Sequence, residues 1–531
     1  MSVKREGIYS MLSQSATINT KFLKVEVHQI LLLLVICAGV FARVYKFGQI
    51  PNGINQDEAF AGYEAWSLLK YGVDYKGYSF PVYLAAWDSG MNALETYLMM
   101  PFIALFGLNA VTVRLPQLIV GCLSILVIYL LLRRIEGKQT ALLAAFAIAI
   151  CPWHIMLCRW GLESNLAPGF FLFGLYFFVL ATDNSKYLPL STFMYGLSLY
   201  TYATVWIFVP FIVLSMVAYC MVHKKLHCDK HLIWAVVIII AEAFPLILFL
   251  AVNYGFIDEI VTSYISIPKL TSMRASEISF TNISGKMKLL YNVFIKQSDG
   301  YIWNSPTKFG LFYRISIPFS LLGIICCFTR ILKSIKSKAF TLSALPMIQF
   351  VLCLPLCLLV NANANRVNII ILPTVIFAAI GINWLIELKA GKFVSAIMLI
   401  YVVMFIGFVH YYFTEYDMES REAFSYGLEE AISIASEKGD TIFVDQNEYF
   451  IKVLFYAQTP ADVVQKTGEY LYYPSSKEYP LKFGRYYFYI DSNEPDYDAA
   501  YILPVNSDID SFTKMGFTTK RCGNYYVLYH K

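Results

Sequence analysis

The chain has 531 residues, of which 58% are hydrophobic and 15% charged, with a formal net charge of +5 and a mean hydropathy of +0.55. A soluble protein carries roughly 25% charged residues, so a soluble globular chain is excluded. The small basic excess also excludes a nucleic-acid binder, and it carries information only through where it sits.

Residues 1–28 are polar and hold Lys4, Arg5, Lys21 and Lys24. The apolar run Ile30–Phe41 continues into Arg43-Val44-Tyr45 without a small-x-small cleavage site, which predicts an uncleaved first span with its N-terminus in the cytoplasm. A bilayer-crossing helix needs roughly 20 apolar residues. Runs of that kind fall near 29–47, 114–132, 139–153, 166–181, 187–203, 205–222, 232–252, 309–329, 340–360, 367–386 and 393–413. The expected fold is therefore mostly α, a polytopic bundle of about eleven transmembrane helices. Alternate loops carry the basic residues: Arg133, Arg134 and Lys138; Lys186; Lys224, Lys225 and Lys230; Arg330, Lys333, Lys336 and Lys338; Lys389 and Lys392. All fall on the side of the basic N-terminus, as the positive-inside rule requires.

The outer side then receives a long first loop at 48–113, a short one at 153–165, a loop at 253–308, the turn at 361–366 and a tail from 414 to 531. The tail is Tyr-rich and polar. It has strand-like runs at Thr441–Asp445, Tyr486–Ile490, Ala499–Leu503 and Tyr525–Tyr529, with helical patterns at Ser420–Lys438 and Ser507–Met515. This predicts a small extracytoplasmic α/β domain over 414–531, after a membrane module over 29–413. Most cysteines lie inside apolar runs and read as small core residues. Cys158 and Cys522 flank the outer side, but sequence sets no distance between them.

The most informative stretch is Pro51-Asn52-Gly53-Ile54-Asn55-Gln56-Asp57-Glu58, directly after the first span. Phe60, Tyr63, Trp66 and Leu68 then suggest a helix lying in the interface plane with its apolar side down. Asn55 and Glu58 fit a capping box, which competes with a functional reading of Glu58. A carboxylate at the membrane surface suits sugar transfer from a lipid phosphate, where a base takes the acceptor's proton as it attacks the anomeric carbon. The departing phosphate needs a cation. Arg159 and Arg366 are outer-facing and offer one. Arg366 follows Asn365 where a span begins, and its competing role is snorkelling to headgroups. Arg159 and Glu163 are four apart and could instead pair on a helix. His154 reads as a polar residue at a helix end. Asp88 reads either as a pocket residue or as a cap for a helix from Met91. A divalent ion among Asp57, Glu58 and Glu163 is an alternative that no spacing demands.

Asp-Glu after the first span, then Leu105-Phe106-Gly107 and Val113-Arg114-Leu115-Pro116 before the second, resembles the GT-C superfamily. More narrowly the chain is similar to the dolichyl-phosphate-mannose protein mannosyltransferase type, which includes the bacterial lipid A aminoarabinose transferase. The resemblance covers roughly 29–413. It implies a polyprenyl-phosphate sugar donor and inversion at the anomeric carbon, with Asp57 as base and Glu58 beside it. It also implies Arg159 and Glu163 lining the donor and acceptor cavity, and Arg366 on the lipid phosphate. The loop at 253–308 is too short for the β-trefoil domain of the protein mannosyltransferases. This weighs against protein O-mannosylation and favours a bacterial member acting on a glycan, lipid or cell-wall polymer, with a protein acceptor left open. The alternative from another class is a transporter or flippase of lipid-linked sugars. Glu242 is the only carboxylate deep in a span, and the halves do not repeat.

Overall fold

The computed structural model describes residues 17–20, 23–86, 90–271, 281–306, 308–446, 448, 450–472, 478–490 and 495–530. Eight helices among them are long and apolar enough to cross a membrane: Val27–Val44, Ala110–Ile135, Glu163–Ala181, Val205–Val222, Lys230–Asn253, Ser316–Ser337, Asn368–Glu387 and Gly391–Phe413. The three remaining expected spans are present as shorter helices, Lys138–Ile150, Leu188–Ser198 and Ala344–Cys353 with Leu356–Leu359. The chain is thus a multi-pass membrane protein.

Local chemistry explains where the long helices start. Asn109 accepts from the N–H groups of Val111 and Thr112 in a capping box, and Asp229 accepts from His231 and Leu232. The helices Glu163–Ala181 and Asn368–Glu387 are the most enclosed, whereas the first helix and Lys230–Asn253 keep most of their surface outside the bundle. Glycine lets the most intimate pair meet. A Cβ on Gly323 would stand 1.8 Å from the Phe377 carbonyl oxygen, and one on Gly381 would stand 2.1 Å from that of Phe319. Close backbone approach at small residues is how helices associate where lipid removes the hydrophobic drive.

Loops expected on the basic side touch one another. Lys138 pairs with Glu26 at 3.2 Å, Arg134 with Asp183, and Arg330 with Glu136. The Glu136 carboxylate also accepts from the Ser343 hydroxyl at 2.9 Å.

The chain after 414 forms a seven-stranded mixed sheet in the order Thr518–Cys522, Tyr525–Tyr529, Ala499–Pro504, Thr441–Val444, Tyr486–Tyr487, Glu478–Phe483, Glu469–Tyr472. Thr441–Val444 runs parallel to both of its neighbours, and the other pairs are antiparallel. Ala499–Pro504 is buried along nearly its whole length, as a strand covered on both faces must be. The four strand-like runs of the sequence all lie in this sheet. Thr518–Cys522, Glu469–Tyr472 and Glu478–Phe483 were not anticipated.

One expectation is overturned. The helix Gln56–Tyr71 does not lie with one side on lipid, because every residue from Glu58 to Leu68 is buried. Helix Phe450–Ala457 of the C-terminal region covers it, and Leu94–Phe106 and Ala110–Ile135 pack beneath. Ile54, Phe60 and Tyr63 share one core with Leu428, Ile442, Phe450 and Phe483.

Candidate functional site

The site begins where the first span ends. The last carbonyls of a helix have no intrahelical partner, and here the buried Arg159 guanidinium supplies one. It donates to the carbonyl oxygens of Arg43 at 2.7 Å, Ala42 at 3.2 Å, Lys46 at 3.0 Å and Ile50 at 3.0 Å, with the Tyr412 and Phe413 rings 5.2 Å away. A cation at a helix C-terminus also complements the helix dipole. Arg159 and Glu163 do not form the helical pair that competed with a functional reading of the two. The helix ends at Leu157, and Glu163 opens a separate 3₁₀ turn.

His154 is likewise turned inward, its Nδ1 accepting from Arg43 at 2.8 Å. Burial and then the adjacent guanidinium hold the imidazole pKa well below its ordinary value, so it stays neutral. Asp88 lies outside the described residues. The helix expected from Met91 begins at Leu94, with Met91–Asn92 a short strand against Tyr83–Leu84.

Asn55 caps the helix that carries Asp57 and Glu58, and both halves of the capping box form. The buried Glu58 carboxylate is fully engaged. One oxygen accepts from the Asn55 N–H at 2.9 Å and Arg114 Nη2 at 2.6 Å, the other from Arg114 Nε at 2.9 Å and the Gly161 N–H at 2.8 Å. Arg114 also donates to the carbonyls of Pro51 at 2.8 Å and Gly53 at 2.7 Å. The pair is bidentate and completely enclosed. Sequence reading quoted Arg114 only as part of a motif. The clue to its partner was its place in the first turns of a helix, where a cation opposes the dipole. Asp57, one residue from Glu58, is half-buried.

A third carboxylate, Glu95, lies against the same spot. It is fully buried and receives a hydrogen bond from the Gln117 amide, while its second oxygen has no partner among the described residues. Burial raises its pKa well above the ordinary value, with the charges of Glu163, Glu58 and Asp57 adding to the rise, so Glu95 is held as a neutral acid. Glu163, also buried, accepts from the Asn92 N–H, and the Asn92 side chain has no partner among the described residues. Gly161 is the point of contact: a Cβ there would meet Glu58 Cβ at 2.8 Å and a Glu95 oxygen at 3.1 Å.

Asn365 and Arg366 are half-buried on the turn before Asn368–Glu387. Asn363 Oδ1 accepts from the Arg366 N–H at 2.8 Å, and Asp299 from the Ala364 N–H at 2.8 Å. Asn368 donates to the Ser164 carbonyl at 2.5 Å, which ties this turn to the residue after Glu163. Asp57, Glu58, Glu95 and Glu163 are thus drawn together, and the Arg366 turn is fastened beside Glu163. Arg159 and His154 serve the framework under them. Among the described residues no group of three or more His, Cys, Asp or Glu side chains is placed to hold a metal ion.

Residues 94–249 match the family model of the dolichyl-phosphate-mannose-protein mannosyltransferases. Among curated proteins, none matches the chain in sequence. The crystal structure of ArnT from Cupriavidus metallidurans in the apo state is similar at 14% identity, covering 94% of this chain and 97% of that one with a TM-score of 0.54. ArnT bound to undecaprenyl phosphate gives 13% identity, the same coverage and a TM-score of 0.52. Archaeal oligosaccharyltransferase AglB from Archaeoglobus fulgidus, in complex with an inhibitory peptide and a dolichol-phosphate, shows 14% identity, 82% coverage of this chain and a TM-score of 0.49, and the chain spans 64% of that protein's length. At such identities the likeness is one of fold.

Proposed function

We infer that this chain, built on the GT-C membrane glycosyltransferase fold, transfers a sugar from a polyprenyl-phosphate donor to an acceptor at the extracytoplasmic face of its membrane. The observation that carries this reading is the division of labour among four clustered carboxylates. Glu58 is locked by Arg114 and the backbone, and Glu95 and Glu163 are fully enclosed. Asp57 alone of the four keeps partial exposure.

Asp57 is the general base in this reading. It takes the proton of the acceptor hydroxyl or amine as the acceptor attacks the anomeric carbon. A new C–O or C–N bond forms, the bond from that carbon to the phosphate oxygen breaks, and the lipid phosphate leaves with the electron pair. Attack opposite the leaving group inverts the centre. Arg366 stabilises the departing phosphate. Glu58 acts as a positioning residue through the helix turn it shares with Asp57, and Glu95 is a neutral hydrogen-bond donor beside Glu163. The N-terminus is cytoplasmic and the 414–531 region extracytoplasmic, as the loop charges support. The acceptor is a glycan, lipid, cell-wall polymer or protein, the first three favoured by the shortness of the 253–308 loop. Asn365 contacts the substrates, and the enclosed Glu163 acts behind it as a positioning residue that accepts from the Asn92 N–H.

Asp57→Asn tests the assignment. It is expected to lower transfer by about 10²–10⁴-fold with an unchanged melting profile and retained binding of polyprenyl phosphate. Turnover close to wild type would remove Asp57 as base. Arg366→Ala is expected to weaken donor affinity by about ten- to a hundredfold, the loss of a charge-assisted contact. An unchanged dependence on donor concentration would remove its phosphate role.

A further inference from the structure

We infer that the short hairpin Ile260–Val261/Ser266–Ile267 dips its tip into the outer leaflet and so fixes the depth of the carboxylate cluster. Three observations lead there. First, the segment that follows the span Lys230–Asn253 exposes large apolar side chains in succession: Tyr254 62%, Phe256 81%, Ile257 40%, Val261 54%, Tyr264 85% and Ile265 43%. Their surface continues that of the span itself, whose Ile233, Trp234, Ile240, Phe244 and Ile247 also face outward from the bundle. An apolar patch of this kind marks an interaction surface, and continuity with a lipid-facing helix names lipid as its partner. Aromatic residues at that level belong to the membrane boundary.

Second, the tip can enter a medium that offers no hydrogen bonds. The Thr262 N–H and hydroxyl both donate to the Ile265 carbonyl, at 3.2 and 2.6 Å, and that hydroxyl accepts from the N–H groups of Tyr264 and Ile265 at 3.3 and 3.0 Å. With the N–H groups of Thr262, Tyr264 and Ile265 paired within the turn, the cost of bringing its backbone to lipid is reduced. The charged residues Asp258, Glu259 and Lys269 stand at the base, where Glu259 accepts from the Tyr78 hydroxyl at 3.2 Å.

Third, the hairpin is fastened at both sides. Asn253 donates to the Pro268 carbonyl at 3.0 Å and accepts from the Leu270 N–H at 2.8 Å, which holds the hairpin to the last turn of the span. Ser266 bridges to Pro81, and its carbonyl accepts from the Val82 N–H at 3.0 Å. Tyr83–Leu84 follows, and its partner strand Met91–Asn92 presents the Asn92 N–H to Glu163. Tip depth is thereby transmitted through paired backbone to the site.

The test places an environment-sensitive dye on Tyr264→Cys, and separately on Phe256→Cys, in full-length chain carrying Cys37→Ser and Cys228→Ser. The protein is reconstituted in phosphatidylcholine vesicles. Ser433→Cys, an exposed position of the C-terminal region, is the water-facing control. Lipids spin-labelled on the upper acyl chain are expected to quench positions 264 and 256 at least about threefold more than 433, consistent with burial at the headgroup and acyl boundary, with aqueous iodide showing the reverse order. Iodide quenching at 264 and 256 equal to that at 433 would overturn the proposal. So would protection from iodide without lipid quenching, which would mean a protein partner covers the tip. The readout is lipid contact alone and does not depend on the transferase activity.

Discussion

Glu58 takes the capping role that the sequence offered it and a second structural role that the sequence did not. Asn55 and Glu58 do form a capping box, and the same carboxylate also pairs with Arg114 and holds Gly161. Removing one partner of an enclosed ion pair leaves the other charge buried without compensation, at about 3–5 kcal/mol. Arg114→Ala is therefore expected to lower the thermal stability of the detergent-solubilised protein severely, where Asp57→Asn leaves it unchanged. Gly161→Ala is a finer probe. Its Cβ would press on Glu58 and Glu95, so transfer should fall while donor binding persists, as measured by separate turnover and lipid-binding assays. The Asp-Glu pair was legible because acidic residues directly after a first span are conspicuous. Arg159 was singled out in the sequence, yet its task was not legible there. Its partners are main-chain carbonyls from residues 42 to 50, and carbonyls have no sequence signature. Glu95 stood out only as one more polar group of the first loop, because a lone carboxylate beside an apolar run gives no clue to its neighbours.

At the scale of elements, helix Gln56–Tyr71 was expected in the right place with the wrong surroundings. Its small residues Ala59, Ala61, Gly62 and Ala65 let neighbours approach on several sides, and Phe455 stands 2.9 Å from where a Gly62 Cβ would be. A sequence periodicity cannot reveal that a helix almost 400 residues later supplies the missing cover. Phe455→Ala is expected to destabilise this junction by about 3–5 kcal/mol, seen as faster proteolysis of the 414–531 region.

The loop after this helix adds a pH response. Glu64 and Asp74 are both enclosed, and the Tyr75 N–H donates to Glu64 at 3.2 Å. Burial pushes Asp74 up to about 7, and burial together with the Asp74 charge pushes Glu64 well above its ordinary value. Each folded pKa lies above its unfolded value of about 4, so folding binds protons. The associated stability is complete below about pH 4 and is lost as pH rises above it, Asp74's share being gone once the pH passes about 7. Melting temperature should decline from about pH 5 to 7 in wild type, and Asp74→Asn should flatten that slope.

For the whole molecule, the bundle was legible because length and hydropathy state the membrane requirement directly. Three expected spans proved short: Leu188–Ser198 and Ala344–Cys353 stop early, and Lys138–Ile150 ends just before Pro152. The sheet was legible only in part. Thr518–Cys522 is a polar edge strand with mostly exposed residues, which lacks the alternation that betrays a strand. The shared core of first loop and sheet also changes what the C-terminal region is: a structural half of the site. Deleting residues 428–531 would strip the cover from Phe60 and Tyr63, and we expect an aggregated product by size-exclusion chromatography rather than a monodisperse, inactive one.

The Arg159 clamp has a mechanical corollary. Sliding the first helix by a single turn would break its bonds to four carbonyls together, so that helix behaves as a fixed jamb. The first helix is held in this way although it is the least enclosed of the eight long helices. On the transferase reading proposed above, a lipid donor would have to be admitted without displacing that helix, and the position of Asp57 just beyond it would stay undisturbed.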